Sequence, residues 1–255
     1  MICWIRSYSE GLNADCPLEL SLALLMNRAQ ARLSLGAFSP ALNDCRSALK
    51  LSRYRNEKAL YRHAKVLYSL RSFDRAFDAF EHITLRFPVN QEAKLELARS
   101  SQRVAEQRTG RYMFSDIRTA LLRQCPRIDI ADYVGPVVFL NERSDTVSTC
   151  VAARDIKAGE LLFSVKAFES VYLSPGFPSG DTPGGNEIGG NLIFHDTRTG
   201  ITEGEAEVLL TRSVCQKLFL NPELIQDFFR RCGSTWLDEP TSQVIILDGQ
   251  PVVDM

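Results

Sequence analysis

The chain has 255 residues, enough for two modest domains, with 45% apolar and 24% charged residues, an ordinary globular balance. No stretch approaches the roughly 20 uninterrupted apolar residues of a membrane span. The net charge of −1 is unevenly placed: residues 1–110 carry 17 Lys and Arg against 11 Asp and Glu, the remainder 13 against 20. The first-half excess is too weak for direct nucleic-acid contact and suits an acidic peptide partner.

Met1 to Glu10 has neither a basic flank nor a long apolar run, so no secretory signal is expected. The seven cysteines (Cys3, Cys16, Cys45, Cys125, Cys150, Cys215 and Cys232) form no Cys-x-x-Cys knuckle. An odd, scattered set reads as reduced thiols of an intracellular protein in the cytoplasm and/or nucleus, each a small buried hydrophobe. His63, His82 and His195 show no zinc spacing, so neither a metal site nor a metal-borne activity is expected.

Trp4 to Leu12 reads as a helix, the second of a hairpin whose first helix would precede Met1. Two matching segments follow. The first runs Leu25, Ala29, Gly36, Phe38, Ala41, Cys45, Ala48; the second runs Leu60, Ala64, Arg71, Phe73, Ala76, Phe80, Ile83, then Pro88. Ala29 and Ala64 are 35 residues apart, as are Ala41 and Ala76. Apolar residues three or four apart predict two amphipathic helices per unit. The alanines let paired helices approach, Phe38 and Phe73 sit at the turns, and Pro88 stops the last helix. One such pair cannot bury its own apolar face, so neighbours must stack. Residues 90–107 predict a further, capping helix.

Beyond Gly110, Phe114 to Gln124 predicts a linker helix closed by Cys125-Pro126. Strands are predicted at Val137 to Leu140, Thr149 to Ala153 and Leu161 to Val165, the last introduced by a turn at Lys157-Ala158-Gly159. Residues 174–190, rich in Gly and Pro, predict a surface loop or a disordered insertion, and Glu203 to Leu220 and Pro222 to Cys232 predict helices. The stretch at 184–190 lacks the Lys-Ser/Thr of a phosphate loop, and Gly-x-Ser-x-Gly is absent. Glu203, Glu205 and Glu207 suit a helix dipole better than acid catalysis.

The repeated segments resemble tetratricopeptide repeats, whose period is about 34 residues; a generic helical hairpin bundle is the alternative. Within them, Asn27-Arg28-Ala29 and Lys58-x-x-x-Arg62 resemble part of the carboxylate clamp of co-chaperone members, which implies that Asn27, Lys58 and Arg62 bind a peptide, such as an acidic chaperone C-terminal tail. Lys58 and Arg62 share a helix face. Two cations and an amide can hold a paired main-chain and side-chain carboxylate by charge-assisted bonds. The clamp's earlier Lys and Asn belong to a helix preceding Met1, and without them Lys58 and Arg62 are equally readable as solvated charges.

Ala131 to Val137, followed by Val151-Ala152-Ala153-Arg154-Asp155-Ile156-Lys157-Ala158-Gly159-Glu160-Leu161-Leu162-Phe163, resembles the opening of a SET domain, in a SMYD-like and fungal arrangement of tetratricopeptide repeats with a split SET domain. The resemblance implies a β-turn-β pivoting on Gly159, and a parent family of protein-lysine (histone) methyltransferases using S-adenosylmethionine. Two departures matter. The family's Gly-x-Gly, which lets the cofactor approach the backbone, is replaced by the degenerate segment Val147, Ser148, Thr149. The family's Asn-His motif and catalytic Tyr have no counterpart after residue 172, so no catalytic residue is assigned.

The expected fold class is α+β: an N-terminal α-solenoid of tetratricopeptide hairpins followed by a partial β-rich SET domain with a helical insertion. The expected domains are a repeat array at 1–110, a linker helix at 111–133, the first part of a SET domain at 134–172, and a Gly/Pro-rich loop with a helical insertion at 173–255, without the SET core. The expected function is a protein-interaction module from a methyltransferase parent, inactive in this chain. The alternatives are an active or pseudo S-adenosylmethionine-dependent lysine methyltransferase, a co-chaperone that binds chaperone tails, and a purely structural helical protein.

Overall fold

The computed structural model describes residues 2–14, 16–123, 128–141, 148–172, 194–195, 202–232, 245–247 and 250–252. The helical part begins with α1 (Ile2–Asn13), α2 (Leu18–Ser34), α3 (Phe38–Leu51), α4 (Glu57–Ser69), α5 (Phe73–Arg86) and α6 (Gln91–Thr109). Each packs on the next, and α2 also packs on α4. This is the stacking that the 35-residue interval requires. Ala29 and Ala64, and likewise Ala41 and Ala76, are at most 1% exposed, because a larger side chain would push the paired backbones apart. Cys45 and Phe80 hold the next equivalent position, both buried, and Ala48 and Ile83 the one after.

The turns repeat as well. Gly36 N–H bonds Leu33 C=O and Ala37 N–H bonds Arg32 C=O; one unit later, Arg71 N–H bonds Tyr68 C=O and Ser72 N–H bonds Leu67 C=O. Both are helix stops with a left-handed residue, Gly36 at φ 79° and Arg71 at φ 61°. Phe38 and Phe73 open the helices after these turns, and Phe73 is buried against the Tyr68 ring with centroids 5.1 Å apart. Asn56 and Asn90 cap α4 and α6, accepting from Ala59 N–H at 2.9 Å and Ala93 N–H at 2.8 Å. Asn90 also donates to Glu57 at 2.7 Å, joining the two caps.

The first hairpins are tied by charge. Asp44, 4% exposed on its side chain, accepts from Arg28 at 2.7 and 3.1 Å and from Arg32 at 2.6 Å. Arg28 donates its remaining arm to Ser9 of α1 at 2.9 Å. One carboxylate of α3 thus holds two cations of α2 and, through one of them, α1.

α6 ends on Gly110 at φ 63°, where a Cβ would meet the Tyr133 ring at 2.5 Å. Then come α7 (Phe114–Leu121), β1 (Tyr133–Val134), β2 (Val137–Asn141), β3 (Ser148–Ala152), β4 (Phe163–Ser164), β5 (Phe194–His195), β6 (Thr202–Glu203), α8 (Glu205–Leu220), a 3-10 turn (Pro222–Leu224), α9 (Ile225–Cys232), β7 (Ile245–Leu247) and β8 (Gln250–Val252). The strands form four antiparallel pairs, β1·β4, β2·β3, β5·β6 and β7·β8. The described residues are mostly helical with a few short strands.

Several details differ from the sequence expectation: Cys3, Cys150 and Cys215, expected to be buried, are exposed, and the helix expected at 114–124 ends at Leu121. The strand expected at 161–165 shrinks to Phe163–Ser164, because its partner β1 is cut short by Gly135 and Pro136, and Pro136 has no N–H to give. A Cβ on Gly135 would lie 2.8 Å from Leu161 C=O, so the chains cross too closely there for a side chain. The expected β-turn-β at 154–163 is irregular on its near side: β3 ends at Ala152, and the Gly159 turn, at φ 80°, leads only into β4. Arg154 closes this loop onto Glu160. The Gly/Pro-rich residues 174–190 and Cys125-Pro126 lie outside the described residues.

The junction of α8 and the 3-10 turn meets the start of α3. Asn221, with no exposed surface, caps α3: its Oδ1 accepts from Phe38 N–H at 2.8 Å and Ser39 N–H at 3.4 Å. Its Nδ2 donates to Gly36 C=O at 2.9 Å and Lys217 C=O at 3.0 Å. The Ser39 hydroxyl adds a bond to Glu223.

Candidate functional site

α2 and α4 lie side by side and carry the three residues singled out for peptide binding. Asn27 is exposed on α2, and its side chain makes no hydrogen bond among the described residues. Lys58 is exposed in the first turn of α4 and has no ion-pair partner among the described residues. It lines a shallow depression with Asn56, Glu57, Tyr61, Asn90 and Glu92, so two carboxylates flank it.

Arg62, one turn along α4, is half-buried, and its Nη1 is enclosed without any hydrogen-bond partner. Burial pulls its pKa below the ordinary guanidinium value. A buried donor without a partner is costly. The fold therefore sets Lys58 and Arg62 one turn apart on α4, neither in an ion pair among the described residues. Arg28, adjacent to Asn27, is instead consumed by Asp44.

Sequence reasoning missed a second polar cluster farther along α4 and α6. It consists of Tyr68, Arg71, Arg99, Arg103 and Glu106, gathered around residues 128–132. The Lys65 ammonium bonds Glu96 at 2.7 Å, and the Arg99 guanidinium lies 4.6 Å from the Tyr68 ring centroid, knitting the two helices. Arg71 offered a sequence signal: it stands where the preceding unit has Gly36.

Val147 lies outside the described residues; Ser148 and Thr149 pair with Asn141 and Leu140 in a regular β-ladder. Among the described residues, no group of His, Cys, Asp and Glu is placed to hold a metal ion, and no helix is long and apolar enough to cross a membrane.

No family model matches the chain. It is similar to a protein of Gibberella zeae named methyltransferase, 28% identical over 250 residues, which are 98% of this chain and 32% of that protein. It is also similar to the peptidyl-prolyl cis-trans isomerase FKBP4 of Bos taurus, 33% identical over 110 residues, 42% of this chain and 24% of that one. The chain thus spans about a third of the fungal relative and a quarter of the isomerase. Among solved structures, the first TPR of Spaghetti (RPAP3) bound to the HSP90 peptide SRMEEVD is 34% identical, with 40% of this chain and 79% of that chain covered and a TM-score of 0.36. The second TPR domain of human RPAP3, in complex with the HSP70 peptide SGPTIEEVD, is 30% identical over 38% of this chain and 78% of that chain, with a TM-score of 0.34. The helical part of this chain is built of tetratricopeptide-like hairpins, and nearly its whole length is similar to a fungal protein that carries the name methyltransferase.

Proposed function

We propose that this chain is a protein-interaction module whose α2/α4 face takes an acidic peptide by its C-terminal carboxylate. The single observation carrying this reading is the exposed Lys58, which has no ion-pair partner among the described residues, one helical turn from the half-buried Arg62 on the helix that packs beside Asn27 of α2. A terminal carboxylate would accept from Arg62 and Lys58 together, and Asn27 on the neighbouring helix would donate to the peptide's last residues. An acidic side chain next to the terminus would suit the basic first half of the chain.

Calorimetric titration of the full chain with the peptide Ser-Arg-Met-Glu-Glu-Val-Asp, free at its C-terminus, tests this. Binding is expected to weaken at least tenfold in Lys58→Ala and in Arg62→Ala, and to vanish when the peptide's C-terminus is amidated. Absent binding, or affinity indifferent to both substitutions, refutes the clamp.

A second reading concerns the parent protein. The likeness of Ala131 to Val137 and Val151 to Phe163 to a SET domain, and the 28% identity with the fungal protein named methyltransferase along 98% of the chain, support descent from a protein-lysine methyltransferase. Val147, Ser148 and Thr149, standing where the resembled family has Gly-x-Gly, support inactivity of this chain by itself. Titration with millimolar S-adenosylmethionine is expected to give no heat; saturable binding would reverse that. The exposed free thiols of Cys3, Cys150 and Cys215 suit a reducing compartment, cytoplasm or nucleus.

A further inference from the structure

Beyond Arg62, the α4/α6 face already holds a peptide, and it is the chain's own. Residues 128–132 (Ile-Asp-Ile-Ala-Asp) have no regular secondary structure, yet side chains from the array bond them almost atom by atom. The Asp129 carboxylate accepts from the Tyr68 hydroxyl at 2.7 Å and from Arg99 Nε at 2.8 Å, with Arg103 at 3.8 Å. Burial works to raise its pKa, but these bonds and charges hold it below the usual carboxylate range. The main chain is read too. Arg71 donates to Ile130 C=O at 3.0 Å, Tyr112 donates its hydroxyl to Ala131 C=O at 2.8 Å, and Ala131 N–H donates to Glu106 at 2.9 Å. Asp132 accepts from the same Arg71 nitrogen at 2.9 Å. Ala131 has no exposed surface, so only a small residue fits between the two acids.

Two observations mark this face as a ligand site rather than ordinary packing. Arg71 holds a left-handed backbone, which a side chain disfavours and which glycine supplies in the preceding unit. A residue kept in that conformation while its guanidinium bonds both Ile130 and Asp132 points to a role for the side chain. The buried Arg103 also keeps a spare donor: it pairs with Glu106 at 2.7 Å, yet its Nε has no hydrogen-bond partner.

We propose that the α4/α6 face is a second acidic-peptide site, separate from Lys58 and Arg62, for segments in which two aspartates flank a pair of residues, the second of them small, and that residues 128–132 fill it in cis. Tethering gives the segment a high local concentration, which excludes an external peptide of the same kind until the segment is released. Seating it also fixes β1, which follows immediately, against the end of α6.

The test uses the full chain and an N-acetylated, C-amidated peptide Ile-Asp-Ile-Ala-Asp-Tyr, which lacks the terminal carboxylate needed at Lys58 and Arg62. The variant Asp129→Ala with Asp132→Ala is expected to bind this peptide at least tenfold more tightly than the parent chain. Adding Arg71→Ala and Arg99→Ala is expected to abolish that gain, whereas adding Lys58→Ala and Arg62→Ala leaves it unchanged. Equal binding by variant and parent, or none by either, overturns the proposal. If the aspartate variant does not fold, Arg71→Gly serves instead, since glycine suits that turn. The Ala131 amide is then expected to exchange at least tenfold faster, and an unchanged rate overturns the proposal equally.

Discussion

Replacing Asn221 by Ala removes a helix cap supplied from 183 residues away. The amide makes three good bonds, to Phe38 N–H at 2.8 Å, Gly36 C=O at 2.9 Å and Lys217 C=O at 3.0 Å; the 3.4 Å contact with Ser39 N–H is at the limit and is counted as nothing. At about 1 kcal/mol net per bond, the loss is about 3 kcal/mol. The loss of the α3 cap is already contained in the Phe38 bond, because Ala37, the residue preceding α3, makes no side-chain cap. The loss falls on the docking of α8 rather than on the repeat core. Amide exchange is therefore the assay, with the Phe38 amide as reporter and the Ala59 amide, capped by Asn56, as internal reference. The bond to Lys217 lies within the end of α8 and survives undocking, so about 2 kcal/mol bears on Phe38; since about 1.4 kcal/mol is tenfold, Phe38 is expected to exchange about thirtyfold faster while Ala59 is unchanged. Asn221→Asp keeps the acceptor for Phe38 but turns an acceptor on Gly36 and Lys217 carbonyls, so it too is expected to loosen α8. A Phe38 rate within about threefold of the parent chain in the Ala variant would refute the capping argument.

Three further outcomes are expected. Asp44→Ala strands Arg28 and Arg32, each about one-fifth exposed, and is expected to lower unfolding stability by about 3–5 kcal/mol in urea titration; a loss under about 1 kcal/mol would count against the buried triad. His63 is held down to about 4 by burial, with Arg46 and Arg75 adding to the effect. The unfolded chain therefore binds the proton first as pH falls from 6.5 towards 4, and stability drops by up to about 3 kcal/mol across that window. His63→Gln is expected to flatten this part of the stability profile, and an unaltered profile would contradict it. Burial, with Asp44 nearby, pushes the Cys45 thiol up to about 12, whereas Cys3, Cys150 and Cys215 are exposed. A thiol-specific disulfide reagent at pH 8 is accordingly expected to modify those three in the native protein and Cys45 only after unfolding.

The helical hairpins were legible because their information is local and periodic. Apolar residues three and four apart select a helix face, and the 35-residue interval between Ala29 and Ala64 says that faces of equal shape must stack. Lys58 and Arg62 could be placed on one face for the same reason: four residues make about one turn. The β region was legible only in part. The apolar run at Val137 to Leu140 marked a strand, but the length of β4 depended on where Gly135 and Pro136 cut its partner.

The sequence by itself determined that paired helices form, where they turn, and which small residues let them touch. Tertiary structure alone decided that Asn221 caps α3, that Asp44 gathers Arg28 and Arg32, that Arg62 keeps an unmatched donor, and that residues 128–132 lie along α4 and α6. The physical reason is range. Helix formation is set by neighbours within a turn or two, whereas a hydrogen bond between groups 61 or 183 positions apart leaves no periodic trace in the chain and exists only once packed helices bring its two ends within 3 Å.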